Sequence, residues 1–135
     1  MDDGAVRAII DGHFAAAGKD ETRASAIYAE DAVLEFPQGR ERIRGRAKIQ
    51  AFRSAYPASL EFEGLRTIGC GDLWVNQYII RYDGTPSYVV GVMQFAGGLV
   101  VHETIYVADP WQPPGWRAQW VEPMDAEPRS PGSDE

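Results

Sequence analysis

Residues 60–107 read LEFEGLRTIGCGDLWVNQYIIRYDGTPSYVVGVMQFAGGLVVHETIYV. Runs rich in β-branched and aromatic residues are broken by GCGD, DGTP and AGG, which are turn signals at hairpin length. The spacing predicts four strands, Leu60–Ile68, Leu73–Tyr82, Ser87–Phe95 and Leu99–Val107, paired antiparallel in sequence order. A lone meander has a face to cover, and Gly64, Gly69 and Gly91 permit the bending that would let short helices cover it.

Upstream, Val6, Ile9, Ile10, Phe14 and Ala17 recur at helical spacing between Asp3 and Gly18, with His13 inside the apolar stripe. A second helix is expected from Asp20 to near Glu30 and Asp31. Ala32–Phe36 reads as a short strand ended by Pro37 and Gly39. In GRERIRGRAKIQAFRSAYP the first half reads as an exposed strand or loop and the second as a third helix ended before Pro57. Helices followed by a meander is an α+β order.

Downstream, ADPWQPPGWRAQWVEP places three tryptophans among prolines and is expected to wrap over the fold as an ordered arm. The expected division is one domain over residues 1–123 and a disordered acidic tail over 124–135. Of the net charge of −7, that tail contributes −3 and the body −4. A mildly acidic body argues against nucleic acid or an anionic membrane as partner. Cys70 is the single cysteine, so neither an intramolecular disulfide nor a multi-cysteine metal site can form. The N-terminus lacks the pattern of a signal peptide, and a cytoplasmic setting is expected.

The element order, with YAEDAVLEFPQG at residues 28–39, a basic turn and the helix IQAFRSAY, resembles the nuclear transport factor 2-like superfamily. It is most similar to the SnoaL-like and ketosteroid-isomerase-like branches, over roughly Val6–Val107. The resemblance implies an α+β cone, in which a curved antiparallel sheet wraps about three N-terminal helices around one pocket. Isomerases of that kind carry their base just before the motif's proline, where this chain has Phe36. Their second acidic residue falls at about Gly91, and their helix-one tyrosine on His13 or Phe14. The usual isomerase route is therefore not expected.

Strand parity offers a second way to the pocket. Leu99, Val101, Glu103, Ile105 and Val107 share one face of the last strand, and Val100, His102, Thr104 and Tyr106 the other. Trp74, Asn76, Tyr78, Ile80 and Tyr82 share a face of the second strand. Pattern alone leaves open whether Glu103 points inward or, through a bulge, outward. The resemblance places it inside. A carboxylate on an apolar interior face costs free energy unless hydrogen-bonded or protonated, which suits a general acid or base.

The candidate catalytic residues are therefore Glu103, His13 and Tyr78. The candidate ligand-binding residues are Asn76, Tyr28, Phe36, Trp74, Met93 and Ile105. Arg53 is placed to reach the pocket mouth. No metal and no cofactor is expected, because two separated histidines make no metal signature. The expected function is small-molecule binding, with acid/base chemistry on a compact apolar substrate. The alternative is a non-catalytic dimeric binding or assembly domain. A homodimer is expected through an apolar outer sheet face formed by Val90, Val92, Val100, Thr104 and Tyr106.

Overall fold

The computed structural model describes residues 1–124; the tail expected over 124–135 lies, apart from Met124, outside the described residues. Helix α1 spans Asp3–Ala16, and the Asp2 carboxylate caps it by accepting from the Ala5 N–H at 2.7 Å. Its buried stripe is Val6, Ile10 and His13. Gly18, at φ +81°, turns the chain into α2 at Glu21–Ala24, capped by Asp20.

The second helix is shorter than its sequence pattern predicts. After Ala24 the chain tightens into a 3₁₀ turn over Ser25–Ile27, and strand β1 already begins at Tyr28. Pairing of Tyr28 with Val100 draws this segment into the sheet, so a tertiary contact overrides local helical spacing. Strand β1 covers Tyr28–Phe36, β2 Glu41–Arg44 and helix α3 Arg46–Ser54. The remaining strands are β3 at Leu60–Cys70, β4 at Leu73–Tyr82, β5 at Thr85–Ala96 and β6 at Leu99–Ala108.

The six strands form one sheet in the order β2-β1-β6-β5-β4-β3. The meander from β3 to β6 is antiparallel throughout, as its turns require. Strand β1, however, joins β6 in parallel, which makes the sheet mixed rather than purely antiparallel. β2, α3 and β3 to β5 all lie between these two strands in the chain, so no hairpin dictates their relative direction.

Besides a register shift between Tyr28 and Val33 of β1, two irregularities interrupt the sheet. One lies between Glu63 and Arg66, where Gly64 sits at φ +68°. The other lies where Gln94 pairs with His102 but Phe95 pairs with Val100, leaving Val101 as an extra residue in β6. This bulge corrects the parity expected for β6. Val100 is wholly buried and Leu99 is 38% exposed, the reverse of the simple alternation. Because the extra residue precedes Glu103, the phase is restored there, and Glu103 and Ile105 both face inward. Val100 therefore leaves the set expected on the outer face.

The C-terminal arm does not pack over the fold. Trp111, Trp116 and Trp120 are exposed at 75%, 75% and 71%, on a segment whose only regular feature is a 3₁₀ turn at Gly115–Arg117. Both edges of β6 are already taken, by β1 and β5, so the arm has no strand to pair with there. Pro110, Pro113 and Pro114 also lack the donors that pairing needs. No helix among the described residues is long and apolar enough to cross a membrane.

Candidate functional site

The cone has a filled narrow end and an open wide end. At the narrow end, Trp74 donates its indole N–H to the Gly71 carbonyl at 2.8 Å. Asn76 accepts from the Thr67 hydroxyl at 2.8 Å and donates to the Met93 sulfur at 3.4 Å. These three side chains are buried core and do not line the cavity. Their expected ligand-binding role is therefore corrected. Parity identified the inward face, but it does not report depth along a tapering cone.

Toward the wide end lies a cavity of about 710 Å³, its open mouth included. Its walls are largely aromatic. Phe14 of α1 meets Tyr78 of β4 edge-on at 5.0 Å and Phe62 of β3 at 5.9 Å. Phe36 of β1 lies 5.8 Å from Phe52 of α3. Ile80, Val89 and Ile105 complete the apolar lining.

Into this wall β6 inserts Glu103, 3% exposed. Its Oε1 accepts the phenolic hydrogen of Tyr28 and lies 3.9 Å from Nη2 of Arg53. Tyr28 stands behind Glu103 and does not itself line the cavity, so its expected direct role in ligand binding is also corrected. Burial pushes the Tyr28 phenol well above its ordinary pKa, against the opposing charge of Arg53. Tyr28 is therefore a permanent donor to the carboxylate. Tyr78 is likewise raised, by burial and then by the charge of Glu103. Burial works against the charge of Arg53, but Tyr28 and Glu103 outweigh it and raise its pKa.

His13 and Phe14 both line the cavity, which resolves the choice between them on α1. The His13 Nδ1 lies 2.7 Å from the Ala24 carbonyl. A carbonyl only accepts, so Nδ1 carries the hydrogen and Nε2 holds the free lone pair. Burial lowers the His13 pKa, with the charge of Glu103 opposing, and this favours the neutral imidazole. The site thus joins a carboxylate, a neutral imidazole and a phenol, and these can exchange a proton with a bound molecule.

Sequence reasoning missed Phe62, Tyr82, Val89, Phe52 and Glu21 as lining residues. Alternation of Leu60 and Phe62 with Glu61 and Glu63 was an available signal for Phe62. No comparable signal marked Glu21, which a short helix brings to the mouth. His102 faces away from the cavity and bonds Glu35 at 3.0 Å. Among the described residues no cluster of side chains is suited to holding a metal ion.

The model of the SnoaL-like domain matches residues 6–103. The chain belongs to the SnoaL-like domain family. Among solved structures, this SnoaL-like protein is 42% identical to an NTF-2 like protein of unknown function from Burkholderia xenovorans LB400. That match covers 91% of this chain and 98% of the other, with a TM-score of 0.80. A ketosteroid-isomerase-like protein from Kribbella flavida is 27% identical over 92% of this chain and 93% of its own, with a TM-score of 0.83. A polyketide-cyclase-like protein from Xanthomonas campestris shares the fold at 16% identity, over 76% of this chain and 90% of its own, with a TM-score of 0.68. No curated protein matches the SnoaL-like chain.

In this SnoaL-like cone Phe36, expected from the resemblance at the position of the isomerase base, lines the cavity with an apolar ring. A Cβ on Gly91 would stand 3.7 Å from Glu103 Oε2, so the carboxylate of β6 reaches the place beside β5 where Gly91 leaves room.

Proposed function

We propose that this SnoaL-like protein binds a compact, largely apolar small molecule and moves a proton to or from it, in a proton-transfer, hydration or dehydration reaction. One observation carries the reading. A single carboxylate, Glu103, is set in an aromatic wall with Tyr28 and Arg53 fixing it and the free Nε2 of His13 at the same cavity. In this reading Glu103 is the acid or base, His13 the second proton carrier and Tyr78 a donor to a substrate oxygen. Positioned acid–base groups of this type accelerate reactions by about 10²–10⁴-fold.

The test is native mass spectrometry for a co-purified molecule, followed by its conversion by wild type and Glu103→Gln. The variant should keep its circular dichroism spectrum and lose about 10²-fold or more in turnover. Unchanged turnover removes Glu103 from the chemistry.

A second reading, a dimeric binding or assembly domain without chemistry, draws on the apolar residues at the isomerase positions, Phe36 and Gly91. Dimerisation itself fits either reading. Tyr88, Val90 and Tyr106 are exposed at 52%, 39% and 46% on neighbouring strands of the outer face. An apolar patch of this kind favours a partner, here a second copy. Light scattering at micromolar concentration should give twice the chain mass, and a monomer would rule the contact out. The single exposed thiol of Cys70 supports a reducing, cytoplasmic setting.

A further inference from the structure

Four arginines of this fold donate to well-placed acceptors. Arg7 donates to the Thr67 carbonyl, Arg42 to Glu35, Arg46 to the Tyr28 carbonyl, and Arg81 to Glu63 and the Gly84 carbonyl. Arg53 differs. Its side chain is 18% exposed, against 51% for Arg42 and 34% for Arg81. Its nearest carboxylate oxygen is 3.9 Å away and already accepts from Tyr28. The guanidinium carbon lies 5.9 Å from the Tyr28 ring centre, so the cation rests beside the phenol and pairs with the carboxylate only at the long distance of 3.9 Å, which leaves most of its donors uncommitted. A guanidinium carries five N–H donors in a planar fork, and donors withdrawn from water without acceptors cost free energy.

Those donors adjoin open space on two sides. Arg53 lines the aromatic cavity and also a second, outer one of about 480 Å³, mouth included, which Lys19, Ser54 and Ser59 line as well. Glu21 borders both cavities, but its Oε2 accepts the Gly18 N–H at 2.7 Å and its Oε1 is sealed from solvent. The outer cavity is lined by two cations, Lys19 and Arg53, and one carboxylate, Glu21, so positive charge is in excess there. Glu103 lines the inner cavity and not the outer one.

We propose that the ligand is a monocarboxylate, with a ring-sized apolar body in the aromatic cavity and its carboxylate held by Arg53 on the side away from Glu103. This rests on the pocket reading above and names its ligand class. The planar fork of Arg53 matches the two oxygens of a carboxylate, and Lys19 adds a second cation at the mouth. Arg53 then stands between two carboxylates, that of Glu103 inside and that of the ligand outside, and Lys19 supplies the second positive charge that balances the pair.

The test is isothermal titration of the full chain with two matched probes, 3-phenylpropanoate and its primary amide. Wild type should bind the acid at least about tenfold more tightly than the amide, since a charge-assisted pair is roughly twice as strong as a neutral one. Arg53→Met should bring the two affinities together. Arg53→Lys should recover part of the preference. Equal affinities in wild type overturn the proposal, as does a preference that survives Arg53→Met. Failure of both probes to bind at millimolar concentration also overturns it. Should Arg53→Met fail to fold, the wild-type ratio alone decides. Proton transfer by Glu103 is judged separately, by the co-purified molecule and its turnover.

Discussion

The two ends of the cone treat buried polar groups in opposite ways. At the narrow end the buried polar side chains have protein partners: Trp74 in Gly71, Asn76 in Thr67 and Met93. At the wide end polar groups cluster but keep capacity in reserve, in the free Nε2 of His13 and the fork of Arg53, whose pairing with Glu103 is long at 3.9 Å. Saturated groups hold a fold together. Groups with capacity left over, gathered at one cavity, await a ligand.

This contrast can be broken most forcefully at the narrow end. Trp74→Ala should cost about 3–5 kcal/mol, as a fully buried indole leaves a cavity that the sheet cannot close. Urea denaturation measures it, and a cost under 1 kcal/mol (about a quarter of that expected) would mean that the narrow end is not the structural anchor. Tyr28→Phe should cost about 1–3 kcal/mol, because it removes the donor from a buried carboxylate and leaves the ring in place. The same denaturation series would show whether Arg53 takes over that role.

A pH series sharpens the contrast at the wide end. Burial lowers the folded-state pKa of His13 below its ordinary 6.5. Between those two values the unfolded chain binds the additional proton. The stability tied to the neutral imidazole is therefore fully present above pH 6.5 and declines as pH falls below it, by at most about 1.4 kcal/mol per pH unit. His13→Gln should flatten that segment of the profile. The smallest effect belongs to the arm: Trp116→Ala, at a residue 75% exposed, should change the stability of the isolated chain by less than about 0.5 kcal/mol. A larger loss that depends on protein concentration would show that the arm is covered by a second copy.

Much of the architecture was legible because the meander carries its own punctuation. The turns at GCGD, DGTP and AGG fix strand pairing locally, and β4 matched its expected bounds, Leu73–Tyr82. What sequence could not report depended on partners far along the chain. The second helix was overestimated because β6 captures Tyr28, and the parallel contact of β1 with β6 leaves no local trace. Glu103 was found on the inward face although the alternation used to find it breaks at Val101. The bulge lies on the harmless side of the carboxylate. Asn76, Trp74 and Met93 were correctly turned inward but assigned to the wrong depth, since alternation has no term for taper. Arg53 was noticed only as a group near the mouth. Its place between the Glu103 carboxylate and two cavities is visible only once every neighbour has a position.

The bond between Tyr28 and Glu103 joins residues 75 apart in the chain, across the parallel seam of β1 and β6. Closing so long a loop is slow and must precede the contacts that reward it. A chain emerging from the ribosome exposes α1, β1 and α3 while Glu103 is still unmade. The catalytic candidate cannot meet its phenol until the last strand of the sheet has been synthesised and docked. The proposed chemistry of the cone is thus withheld until folding is nearly complete, and an abandoned fragment ending before β6 would lack Glu103 altogether.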